Sequence, residues 1–177
     1  MGIPQVSAQL NVSFGEAGAF LSKFYRRFPK VKEWIEGVKR QTERDGYVRT
    51  ITGRRRMLEA IKSPVQMERA QAERQAVNSI IQGSAADIMK LGMLKLHDFL
   101  KLWKQRSPEL YPKMLLQIHD ELLFETPCGA NDVKLLKSVI ERCCGSEVRT
   151  DLKLSVDLVL HMQVGRSWGS GMKDVIA

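Results

Sequence analysis

Cysteine is scarce in this chain, and the little there is forms no pattern. The 177 residues hold three cysteines, Cys128, Cys143 and Cys144. They are odd in number, two are adjacent, and no C-x-x-C pair exists, so neither a zinc site nor a disulfide framework is expected. A reducing intracellular compartment is the natural inference. Long apolar runs are lacking too, and none approaches the length of a membrane span. No basic-then-apolar leader opens the sequence. Internal repeats and low-complexity tracts are absent. No membrane partner is expected on these grounds. Acidic residues are in deficit, with 20 Asp and Glu against 28 Lys and Arg, for a net charge of +8. That balance favours a polyanionic partner, most often nucleic acid or a membrane surface.

What is present is the composition of a folded domain. Hydrophobic residues make up 44% of the chain, and its length suits one core. Ser13 and Glu16 have capping-box spacing and open a helix in which Ala17, Phe20, Leu21, Phe24 and Phe28 recur at helical intervals. Pro29 is expected to end it. A second helix carries Val31, Trp34, Ile35 and Val38 on one face and stops at Asp45-Gly46. Residues 47–51 read as a strand, Thr52-Gly53 as a turn, and residues 54–57 as the return strand. Residues 68–82 read as a helix that Gly83-Ser84 interrupts, with Ser84 capping a further helix from Ala85 to about Trp103. A helix is expected from Asn131 to Cys144. The alternation from Leu152 to Val164 is the clearest period-2 strand in the sequence. Helices with antiparallel strands imply an α+β architecture, helices packed on a small antiparallel sheet.

Three constellations carry chemistry. The first is the run 115–125, in which His119, Asp120 and Glu121 stand between two apolar segments of strand length. A three-residue tip on a buried two-stranded ribbon is expected. Adjacent carboxylates on rigid strands suit a divalent metal, because Mg²⁺ takes one or two carboxylates and fills its other positions with water and substrate phosphates. A charged, solvated turn is the bland alternative. The second is Arg74, Asn78 and Gln82, spaced four and four, so that they share one helix face. The stripe lacks the Glu/Lys pairs of a solvated face. Its long donors match the acceptors on minor-groove base edges, which nearly all base pairs share. The third is Arg54-Arg55-Arg56 after Gly53, three guanidinium forks suited to phosphate oxygens or simply a basic surface turn.

Taken in order, these segments resemble the family A DNA polymerases. The matching text is Gly46-Tyr47-Val48 with Thr52-Gly53-Arg54-Arg55-Arg56, then residues 72–78, then Gln82-Gly83-Ser84-Ala85-Ala86-Asp87, then residues 117–122. Phe28-Pro29-Lys30-Val31 also fits. Residues 73–76, 82–84 and 165–169 look most like the eukaryotic repair polymerases theta and nu. The resemblance implies a partial palm with adjoining fingers helices: residues 1–45 a helical segment beside the fingers, residues 46–177 the palm portion. It implies that Asp120 ligates the catalytic Mg²⁺, with Mn²⁺ able to substitute, and that Glu121 assists. His119 would contact the primer strand near its 3′ end. Arg74, Asn78 and Gln82, with Gln117 beside them, would track the primer–template minor groove. The reaction implied is two-metal phosphoryl transfer.

The sequence also departs from the family. Its other metal aspartate, in an Asp-Tyr-Ser type motif, has no counterpart here. The fingers helix with its nucleotide-binding Arg, Lys and Tyr would end just before residue 1, and Met1-Gly2 would be the Met-Gly after that tyrosine. The thumb is not found. The implied partners are primer–template DNA, the rest of a longer polymerase chain, and dNTP through that remainder. The chain alone is expected not to polymerise, and self-association through exposed apolar surface is expected. Residues 104–112 form a longer stretch than in the bacterial pattern. A theta-like enzyme implies the nucleus, with an organelle as the alternative. The competing class is a non-catalytic DNA-binding module that keeps the Arg/Asn/Gln stripe while its carboxylates are a relic.

Overall fold

The computed structural model describes residues 2–127, 129–169 and 171–175. Met1 and Cys128 lie outside them. The element order is α1 Ile3–Leu10, α2 Phe14–Arg27, α3 Pro29–Asp45, β1 Tyr47–Arg49, β2 Arg55–Met57, a 3-10 turn Glu59–Lys62, α4 Gln66–Arg106, β3 Lys113–Ile118, β4 Glu121–Glu125, α5 Ala130–Ile140, a π-turn Glu141–Ser146, α6 Glu147–Asp151, β5 Gln163–Val164 and β6 Lys173–Asp174. The fold is α+β, as the pattern of helices and strands implies. Among the described residues its antiparallel part is three separate two-stranded sheets, β1-β2, β3-β4 and β5-β6.

The chain divides into two compact units. One comprises Met1–Arg49 and Arg55–Ile80, the other Thr50–Arg54 and Ile81–Ala177. In the first, α2 starts as its capping box dictates: the Glu16 amide donates to Ser13 Oγ at 3.3 Å and Glu16 Oε2 accepts from the Ser13 amide at 2.9 Å. Such a cap is worth about 1 kcal/mol. Pro29 marks the end of that helix, whose C-cap is Phe28. It also opens α3, where a proline in the first turn forfeits no helical hydrogen bond. Gly46, at φ 76°, closes α3 through its amide to Thr42 O at 2.7 Å. Val38 of α3, Val48 of β1, Leu58 and Ala76 of α4 form the buried core, with Val77 and Ile80 against it.

The core of the second unit is Leu96 of α4, Leu136, Val139 and Ile140 of α5, and Cys143 of the π-turn. Leu122 and Phe124, two apart on β4, share one strand face and pack on it. This anchors one strand of the His-Asp-Glu hairpin.

Four expectations need correction. The Gly83-Ser84 pair does not break the helix, and α4 runs unbroken from Gln66 to Arg106. A helical glycine costs only about 1 kcal/mol relative to alanine, and local contacts described below offset it. The tip of the β3–β4 hairpin has two residues, because Glu121 already pairs with Ile118 in the ladder. The ribbon is not buried: Leu115 and Leu116 of β3 are 50% and 49% exposed, since a register shift between Met114 and Leu116 disrupts the alternation there. Lastly, residues 152–162 form no strand. Lys153 sits at φ 52°, and no described strand lies alongside to complete a ladder. The alternating apolar residues are divided, with Leu152, Leu154, Leu158 and Met162 half-buried and Val156, Leu160 and Val164 exposed.

Candidate functional site

Strands β3 and β4 bring His119 and Asp120 to a two-residue loop closed by the Ile118–Glu121 pair. His119 adopts φ 54°. The left-handed region costs a residue with a β-carbon about 1 kcal/mol, and it is the conformation that two-residue hairpin loops favour. Gln117 braces the loop, its Nε2 donating to the His119 carbonyl at 3.2 Å. Asp120 and Glu121 are both exposed. Neither carboxylate is engaged in a hydrogen bond or an ion pair among the described residues. No group of three or more His, Cys, Asp or Glu side chains gathers around a metal position there. Two free neighbouring carboxylates with no third protein ligand fit a hard cation that completes its shell with water and phosphate oxygens. They do not fit a closed structural metal site.

Arg74, Asn78 and Gln82 fall on one continuous helix, and all three are exposed. Arg74 and Asn78 belong to the first unit and Gln82 to the second. None of the three is tied into an ion pair among the described residues. Ala72, Ala76 and Ser79 are the buried residues of the same stretch, and its acid, Glu73, faces Lys39 at 3.2 Å. Arg74 and Asn78 in the one unit and Gln82 in the other are therefore each solvent-facing.

The three consecutive arginines have separate fates. Arg54 is bonded to Asp87, by Nε to Oδ1 at 3.1 Å and by NH2 to the same oxygen at 3.0 Å, and NH2 also donates to the Gly83 carbonyl at 3.2 Å. Arg56 NH1 donates to Ser79 Oγ at 2.7 Å. Arg55 stacks over the Tyr47 ring, 4.9 Å from its centre.

Asp87 is the residue that sequence reasoning missed. It is 7% exposed and accepts from Thr52 Oγ1 at 2.6 Å as well as from Arg54. Burial on its own would push its carboxyl up. Hydrogen bonds from Thr50, Thr52 and Arg54, with the charge of Arg54, outweigh burial and hold it below its ordinary value. Ser84, read as a helix cap, instead accepts from the Ile51 amide at 2.9 Å. A β-carbon at Gly83 would lie 2.6 Å from Thr50 Cγ2, so glycine is required there for close approach of the loop. Together these contacts latch the loop 50–54 onto α4. A sequence signal existed: Gly83 and Asp87 are four apart and share a helix face. A buried aspartate needs a partner, and Arg54 is one.

The chain matches the family described as "DNA polymerase family A" over residues 1–170. It is 38% identical over 163 residues to the DNA polymerase I of Caldicellulosiruptor bescii, covering 92% of this chain and 18% of that protein. It is also 38% identical over 173 residues to the DNA polymerase theta of Drosophila melanogaster, covering 96% of this chain and 8% of that one. Among solved structures it resembles the POL domain of Pol1 from M. smegmatis, determined in complex with DNA primer–template and dNTP, with TM-score 0.68, 36% identity, and 78% of this chain against 23% of that one. Fold and sequence define a polymerase segment. The chain belongs to DNA polymerase family A, whose members are metal-dependent enzymes. It spans about a fifth or less of the length of the curated relatives named here. Among the described residues no helix is long and apolar enough to cross a membrane.

Proposed function

We propose that this chain forms part of a DNA-directed DNA polymerase that extends a primer with dNTPs. In the reaction the primer 3′-oxygen attacks the α-phosphorus of the nucleotide, and the bond to the pyrophosphate leaving group breaks. Asp120 and Glu121 hold the divalent cation, Mg²⁺ or in its place Mn²⁺. The cation supplies charge neutralisation at the phosphates and a more acidic 3′-hydroxyl. His119, held by its hairpin loop beside Asp120, contacts the primer strand near its 3′ end. Arg74, Asn78, Gln82 and Gln117 donate to minor-groove acceptors, which tests duplex shape and correct pairing with little sequence preference. The basic hairpin around Arg54, Arg55 and Arg56 lies toward backbone phosphates. The incoming dNTP is bound by other parts of the polymerase. The likeness to polymerase theta supports a repair enzyme acting in the nucleus, with an organelle as the alternative. The 177-residue chain alone does not polymerise.

One observation carries this reading: a pair of adjacent, unpartnered carboxylates at a hairpin tip, in a chain of this family. Primer extension on a primed template with Mg²⁺ tests it, using the complete polymerase that contains this segment and its Asp120→Ala variant. A loss of several orders of magnitude with DNA binding retained is expected. Undiminished extension by the variant would make Asp120 a turn residue and leave this segment as a non-catalytic DNA-binding module.

A further inference from the structure

The β1–β2 hairpin carries two arginines, Arg49 and Arg55, that form no ion pair among the described residues. Arg49 and Arg55 stand directly opposite each other in the ladder. Their guanidinium carbons lie 5.1 Å and 4.9 Å from the centre of the same Tyr47 ring. Arg49 NH2 also donates to the Tyr47 hydroxyl at 3.1 Å. Both arginines are exposed. Like charges directly opposite on a ladder destabilise it, and the usual remedy is an acid nearby. The acid that senses Arg49 is Asp45, but Asp45 is held by Arg44 at 2.7 Å and 3.2 Å. The face of the tyrosine ring attracts both cations and fixes their planes. What remains is a pair of oriented forks, the geometry that takes phosphate oxygens. The adjacent arginines differ, since Arg54 is committed to Asp87 and Arg56 to Ser79.

We propose that Tyr47, Arg49 and Arg55 form a phosphate clamp for the backbone of a DNA duplex. The clamp rests on the DNA-binding reading above and deepens it. It moves the main phosphate contacts of this hairpin from the run 54–56 to a cross-strand pair that includes Arg49, a residue outside that run.

The test is fluorescence anisotropy of a labelled primer–template duplex with the 177-residue chain over a series of salt concentrations. Each phosphate contact contributes about 0.9 to the slope of log affinity against log salt. Arg49→Gln with Arg55→Gln should therefore flatten the slope by about two and weaken binding by at least about tenfold near 0.1 M salt. Arg26→Gln with Arg27→Gln removes the same charge from exposed positions on α2 and should flatten it by less than one. Tyr47→Leu keeps both charges and should weaken binding about threefold or more. If the Arg49/Arg55 variant and the Arg26/Arg27 variant behave alike while the wild-type chain binds, the clamp is wrong and the DNA-binding reading stands. If the wild-type chain shows no salt-dependent binding to the duplex, both are wrong.

Discussion

In the loop of the β1–β2 hairpin, Arg54 is bonded to Asp87 and Gly83, Thr52 to Asp87, and the Ile51 amide to Ser84. At the end of the β3–β4 hairpin, Asp120 of the loop and Glu121, the first residue of β4, have no such partners among the described residues, and His119 sits in the left-handed region. Both hairpins carry conspicuous charge in sequence. Asp87 and Asp120 are the same residue type, yet one is buried and bonded to Thr52 and Arg54 while the other is exposed and has no partner among the described residues. The difference teaches that a charged motif divides into groups that build the fold and groups left available for a ligand. Only the network of partners tells them apart.

The comparison can be broken first at Asp87. Asp87→Ala removes a buried carboxylate and strands Arg54, so a loss of about 2 kcal/mol is expected in denaturant unfolding, discounted because Arg54 is half exposed. Asp120→Ala should leave unfolding unchanged within about 0.5 kcal/mol. The Asp87 carboxyl lies below its ordinary value of 3.8. The stabilisation from this depression is full above that value and is lost as pH falls through the lower folded value. Acid unfolding of Asp87→Asn should therefore lack that part of the pH dependence, read from unfolding midpoints between neutral pH and the acid range.

Gly83 gives a finer test. Gly83→Ala would gain up to about 1 kcal/mol of helix propensity but drive the new carbon against Thr50 Cγ2. Overpacking costs about 1–3 kcal/mol, so a net loss of about 1 kcal/mol is expected. Thr50→Ser deletes the offending methyl and keeps the hydroxyl that accepts from the Arg54 amide. In that background the sign should reverse, and Gly83→Ala should stabilise.

Much of the fold was legible before the structure. The capping box at Ser13, the stop at Gly46 and the two hairpins follow from local chemistry that a few residues determine. The unbroken α4 did not follow, because Gly83-Ser84 has the composition of a break and the reason it is not one lies some thirty residues earlier, in Thr50 and Ile51. The alternation from Leu152 to Val164 misled for a related reason. Periodicity reports which side chains seek burial, but a strand also needs a neighbour for its backbone bonds. The sequence named His119, Asp120 and Glu121 as candidates, and the structure places them at the end of the β3–β4 hairpin. What the sequence did not disclose is which arginines are free, since that depends on long-range partners such as Asp87 and Ser79.

The smallest effect concerns the strained loop. His119→Gly should relieve the left-handed backbone and raise stability by up to about 1 kcal/mol, while lowering primer extension by the complete polymerase. A mutant that loses stability would show that the His119 side chain supports the hairpin.

The central claim is that the free carboxylates at one hairpin, and not the engaged one near the other, take the metal. Paramagnetic broadening of backbone amide resonances during a Mn²⁺ titration of the ¹⁵N-labelled chain tests it most directly. The account predicts early, selective broadening at residues 118–122, none at Gly83 or Asp87, and loss of the effect in Asp120→Ala with Glu121→Ala. Broadening that survives this double substitution, or that appears first around Asp87, would contradict it.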